Sequence, residues 1–121
     1  MTPQQELARR ERLVAAARAM LSMQVGLATG AFRLERVLGS LGEPYQSQHS
    51  VFRRFTGAIP ADIPVGSARL HWVPALLLAT DTKLAKIEDK FRASLLEECI
   101  AIIQAYGPNN KFKPKPLRGS A

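Results

Sequence analysis

Cysteine is nearly missing from this chain. Cys99 is the only one in 121 residues, which excludes an internal disulfide framework and any multi-cysteine zinc site. Histidine is almost as scarce. His49 and His71 stand 22 residues apart with no acidic neighbour in sequence, a poor start for a metal site or for a base beside a nucleophile. Long apolar runs are missing too. The longest, residues 73–79, contains Pro74 and falls far short of the roughly 18–20 residues a membrane span needs. No secretory leader is read at the start, where Glu6 and Glu11 sit among arginines and no apolar core follows. The expected compartment is the cytoplasm.

The usual catalytic constellations are absent as well. Glu97 and Glu98 are adjacent, so on a helix they point about 100° apart and form no dyad. Asp81, Glu88 and Asp89 do not follow the alternating oxygen ligands of a calcium loop. No glycine-rich strand–helix loop offers a phosphate cradle. Hydrolase, transferase and redox chemistries each lack parts. The expectation is a protein that is not an enzyme and needs no cofactor or metal.

Acids are the scarce charge: 10 Asp+Glu against 17 Lys+Arg, for a net +7. The excess is unevenly placed. Residues 108–121 hold Lys111, Lys113, Lys115 and Arg118 with no acid, so 13 bases face 10 acids elsewhere and the body carries only +3. A basic nucleic-acid domain is therefore poorly supported. Pro114 and Pro116 bar helix from this end, and an extended, flexible tail is expected. The tail is read as a solubilising terminus or as an arm for phosphates or an acidic protein.

What is present is an ordinary globular composition, 46% apolar and 22% charged, long enough to bury a core without staples. Thr2-Pro3-Gln4-Gln5 is a helix start, with a cap, a proline at the first position and a capping-box partner. Leu13, Met20, Leu27, Leu34 and Leu41 recur every seven residues. A second stripe runs through Leu7, Val14, Leu21, Val25, Ala28 and Phe32. This pattern predicts a helix over 3–41 with an apolar face wide enough for two neighbours. Gly26 and Gly30 each cost about 1 kcal/mol of helix propensity. An unbroken helix would reach about 58 Å, so a bend or break near Gly26–Gly30 is expected, with close packing or a kink at the glycines.

Gly39, Gly42 and Pro44 end that helix, and prolines 44, 60 and 64 make residues 43–73 irregular, apart from a short helix or turn near 50–55. Val51, Phe52, Phe55, Ile59, Ile63, Val65, Leu70 and Trp72 give this segment enough apolar surface to pack over the helices. Pro74 opens a second long helix to 106, stopped by Gly107-Pro108. The predicted fold is all-α: an antiparallel hairpin of helices 3–41 and 74–106 with a proline-rich cover. Residues 1–107 form one domain, followed by the 108–121 tail. An ion pair is expected between Glu97 or Glu98 and Arg9, Arg10 or Arg12.

Two local clusters suggest recognition. Arg53-Arg54 is flanked by Phe52 and Phe55, and arginine forks grip phosphate or carboxylate while aromatics stack. Arg69, His71 and Trp72 form the other, with residue types favoured in interface hot spots.

The block Ala19-Met20-Leu21-Ser22-Met23-Gln24-Val25-Gly26-Leu27, then Gly30-Ala31-Phe32-Arg33-Leu34, then Ile63-Pro64-Val65-Gly66 with Arg69 and Trp72-Val73-Pro74 resembles a family of small uncharacterised bacterial helical proteins. The resemblance covers about residues 8–107. It implies a helical fold and a bacterial origin and no known activity. The chain departs from that pattern at Thr29, ahead of Pro64 and at Val73.

The function expected from these readings is noncatalytic binding of another protein with an acidic face, in one version neutralisation of a toxin by an immunity protein. Arg53, Arg54, Arg69, His71 and Trp72 are the candidate contacts. The alternatives are nucleic-acid association through the tail and Arg53-Arg54, and a homo-oligomer joined by the wide face of the first helix.

Overall fold

A computed structural model describes residues 1–108. The expected tail contacts Lys111, Lys113, Lys115 and Arg118 lie outside the described residues. The described chain is all-helical: α1 Pro3–Leu21, α2 Leu27–Leu41, α3 Tyr45–Gln48, α4 Val51–Ala58, a 3₁₀ turn Gly66–His71, and α5 Pro74–Tyr106.

The start of α1 follows the sequence pattern. Gln5 N–H donates to Thr2 Oγ1 at 3.1 Å and Thr2 N–H to Gln5 Oε1 at 2.9 Å, closing the capping box. The helical stretch expected over 3–41, with a bend or break near Gly26–Gly30, is two helices. The break falls at residues 22–26, just ahead of the expected kink. Ser22 Oγ turns back onto the Arg18 carbonyl at 2.9 Å, and Met23 adopts φ 61°, a left-handed conformation that ends a helix. Gly26 then caps α2 in extended conformation. Gly30 stays inside α2 for a different reason. A Cβ there would stand 2.8 Å from Met20 Cε and 3.1 Å from Val25 Cγ2, so the glycine lets the end of α1 press onto α2.

The wide apolar face finds both its neighbours within the chain. Arg9 Nη1 donates to the Ser40 carbonyl at 2.7 Å, so α1 runs antiparallel to α2. Cys99 Sγ lies 3.4 Å from Met20 Sδ, and the Arg10 guanidinium stands 4.5 Å over the Tyr106 ring, so α1 also runs antiparallel to α5. Leu13, Ala17, Leu34, Leu38, Leu95 and Ile102 are fully buried between these three helices. Much of the face expected to join a homo-oligomer is covered by α2 and α5, while Leu7 and Phe32 of its second stripe stay exposed.

The proline-rich segment covers the bundle only in part. Phe52 and Phe55 are fully buried, and Phe55 meets Phe91 of α5 at 5.5 Å between ring centroids. Ile59 and Ile63 are also buried. The cover stops there: Leu70 is 84% exposed and Trp72 half-buried. The expectation that the segment packs down is corrected for Leu70. The reason is the length of α5. At 33 residues it measures about 50 Å, against about 28 Å for the 19 residues of α1. Leu84 is the first buried residue of α5, and every position from 74 to 83 is half-buried or exposed. The helix outruns its partners and carries the 3₁₀ turn out with it.

Candidate functional site

The five residues read from the sequence as contacts rest on two separate supports. Arg53 and Arg54 project from α4 on the side opposite the buried Phe52 and Phe55. Arg53 Nε stands 3.8 Å from Glu35 Oε2 with its side chain 62% exposed, a loose pair worth little. Arg54 Nη1 reaches Ser50 Oγ at 3.5 Å. Phe52 and Phe55 are core anchors, so no aromatic stacking surface accompanies these arginines.

Arg69, His71 and Trp72 lie at the other support, where the 3₁₀ turn meets α5. Arg69 is engaged there. Its guanidinium forks onto Asp81, with Nη1–Oδ1 at 2.5 Å and Nη2–Oδ2 at 3.0 Å. The Arg69 hydrogen bond holds the Asp81 carboxyl below its ordinary value, and Asp81 in turn raises the guanidinium. A bidentate fork fixes orientation as well as charge, so the pair braces the 3₁₀ turn against the first turns of α5. His71 is exposed.

Beside this brace the Pro64-Val65-Gly66 turn closes against the start of α2. Gly66 takes φ 64°, a conformation that favours glycine, and a Cβ there would lie 3.9 Å from Thr29 Oγ1. Two adjoining hollows of about 440 and 390 Å³ share Thr29, Val65 and Gly66. Arg36 and Phe32 line the first; Arg69, Asp81, Leu84 and Glu88 line the second. The Glu88 carboxyl is raised above its ordinary value, chiefly by burial, although the Ala28 N–H and the charge of Arg92 draw it down. It stands at the free N–H groups of the α2 start, where a carboxylate suits the helix dipole.

The projecting end is apolar on every side. Leu76, Leu77 and Leu78 follow one another at 100° steps. Only Leu77 leans on the rest of the chain and is half-buried. Leu76 is 54% exposed, Leu78 72% and Val73 56%. With Leu70 they form an uncharged tip, since residues 70–80 contain no Asp, Glu, Lys or Arg.

A second polar assembly joins the opposite end of α5 to α3. His49 is buried at 6% exposure. Its Nδ1 lies 2.6 Å from Glu98 Oε2 and its Nε2 lies 2.8 Å from the Tyr106 hydroxyl. The Tyr45 hydroxyl donates to Glu6; burial first, and then that bond, push Tyr45 up to about 12. Burial also raises Tyr106. Sequence reasoning gave His49 no acidic partner and sent Glu98 to the arginines of α1; the structure corrects both. Glu98 meets His49, while Arg10 turns to the ring of Tyr106 and the hydroxyl of Tyr45. The available signal was the position of Glu98 beside the apolar stripe of α5, two turns before Tyr106 and about 80° round the helix from it. The ring, hydroxyl and carboxylate satisfy one another, and neither hollow includes them.

No group of three or more His, Cys, Asp or Glu side chains is placed to hold a metal ion among the described residues. No described helix is long and apolar enough to cross a membrane. Comparison of the chain with protein-family models, with curated proteins and with solved structures gives no match.

Proposed function

We propose that this chain is a noncatalytic protein-interaction protein, and that it docks through the end of the molecule formed by the 3₁₀ turn and the first turns of α5. The observation that carries this reading is the uncharged tip Leu70, Val73, Leu76 and Leu78, held outside the bundle. Fully burying a leucine is worth about 1.5–3 kcal/mol, so leaving four large apolar side chains in water forgoes a sizeable stabilisation. Helices that are apolar on all sides are otherwise found covered. The tip is also stiff: it belongs to a continuous 33-residue helix and is braced by Arg69 and Asp81. A preorganised surface loses little freedom on binding.

The tip shifts the weight among the candidate contacts. Trp72 belongs to it directly, Arg69 supports it from behind, and Arg53 and Arg54 are remote from it in the fold. The immunity version of the reading specifies the partner as a toxin. It is tested by coexpression, in which the chain must restore growth and Leu78→Glu must not. The wider reading is tested by tagging the chain at native expression and identifying bound proteins by mass spectrometry. Partners lost in Leu78→Glu and kept in Arg54→Ala support the tip. Recovery of the same proteins with both variants overturns it.

A further inference from the structure

Resting on that reading, we infer that the occupant of the tip is a second copy of this chain, the two tips meeting across a two-fold axis. Three observations select this occupant. The first is charge. The chain carries +7, so two copies repel over most orientations, yet residues 70–80 hold no charged side chain. The tip is where like chains approach at least electrostatic cost.

The second observation is shape. Leu76 and Leu78 flank the half-buried Leu77 on opposite sides of one helix. A flat surface covers one of these sides and leaves the other wet. A second helix end of the same kind, crossing beside the first, brings its own 3₁₀ turn and its own Leu70 to the remaining flank. Each copy then supplies what the other lacks, as an isologous contact requires.

The third is size. Four partly exposed apolar side chains per copy make a contact smaller than the roughly 1,200 Å² where stable complexes begin. The dimer is therefore weak and concentration-dependent, and its contact is apolar rather than ionic.

Sedimentation equilibrium of the full chain from micromolar to submillimolar concentration tests this. The average mass is expected to rise from 13.3 kDa towards twice that value and to persist or grow in high salt. Leu78→Glu enters a two-fold contact twice and is expected to weaken association by about 100-fold or more. Ala93→Glu, on the exposed face of the same helix, leaves it unchanged. Circular dichroism of both variants checks that the helices persist. A wild-type chain that stays monomeric throughout overturns the second copy as occupant, as does a dimer that dissolves with salt or is indifferent to Leu78→Glu. In the monomeric case the interaction reading itself survives only if a different protein binds the chain and is lost in Leu78→Glu. Cosedimentation of the monomer with anionic phospholipid vesicles, lost in the same variant, assigns the tip to lipid and overturns both.

Discussion

His49 Nδ1 stands 2.6 Å from Glu98 Oε2, joining residues 49 positions apart at the closed end of the bundle. A carboxylate only accepts, so Nδ1 donates to Glu98, and Nε2 faces the Tyr106 hydroxyl at 2.8 Å. His49→Ala leaves the carboxylate and the hydroxyl without this partner and opens a void between α3 and α5. The expected loss is about 2–4 kcal/mol, read as a lower urea midpoint. Glu98→Gln costs less, because its amide oxygen still accepts from Nδ1.

The glycines separate into those that protect a close approach and those that do not. A Cβ at Gly57, in α4, meets nothing within 4 Å. Gly57→Ala is expected to stabilise by up to about 1 kcal/mol through helix propensity alone. Gly30→Ala gains the same propensity but drives Met20 Cε from a 2.8 Å approach. Met20 is 2% exposed and its sulfur faces the Cys99 thiol, so the side chain has little room to move. A net loss of about 1 kcal/mol is expected. Thermal melts of the two variants should shift in opposite directions.

The fold was legible where the signal is periodic and local. The second long helix from 74 to 106, the capping box at Thr2 and the anchoring role of Phe52 and Phe55 all follow from pattern and turn chemistry. The break after Leu21 was half-legible: the glycines marked the neighbourhood, but the left-handed residue is Met23, whose type gives no warning. The pairings Arg69–Asp81 and His49–Glu98 were hidden because they depend on which helix ends meet. Nor does apolar periodicity say how far a helix outruns its partners. Leu76 and Leu78 stay exposed because the 19-residue α1 does not reach the first turns of α5.

Cys99 is fully buried, and burial followed by the charge of Glu98 pushes its thiol up to about 12. The thiolate is the reactive form, so the native chain is expected to resist an aromatic disulfide reagent at mildly alkaline pH. Labelling then proceeds only through opening of the bundle. Its rate should rise in His49→Ala and Gly30→Ala, about tenfold for each 1.4 kcal/mol of stability lost. Immediate stoichiometric labelling of the native chain would contradict the packing of α1 against α5.

Asp81 and Glu88 face one cleft but respond to pH in opposite senses. Asp81 is held below the ordinary 3.8, first by the hydrogen bond from Arg69. The folded chain binds that proton less tightly than the unfolded chain, so the pair's contribution is complete above 3.8 and is lost as pH falls through the lower folded value. Asp81→Asn is expected to lower stability at neutral pH, with the difference from wild type closing in acid. Glu88 is held above the ordinary 4.5, first by burial. The folded chain binds this proton more tightly, so the favourable contribution is complete below 4.5 and is lost as pH rises through the higher folded value. Glu88→Gln keeps an oxygen for the Ala28 N–H without the buried charge. It is expected to raise the urea midpoint at neutral pH and to match wild type in acid. If Glu88→Gln instead lowers the neutral midpoint, attraction between the carboxylate and the start of α2 outweighs the cost of burying it.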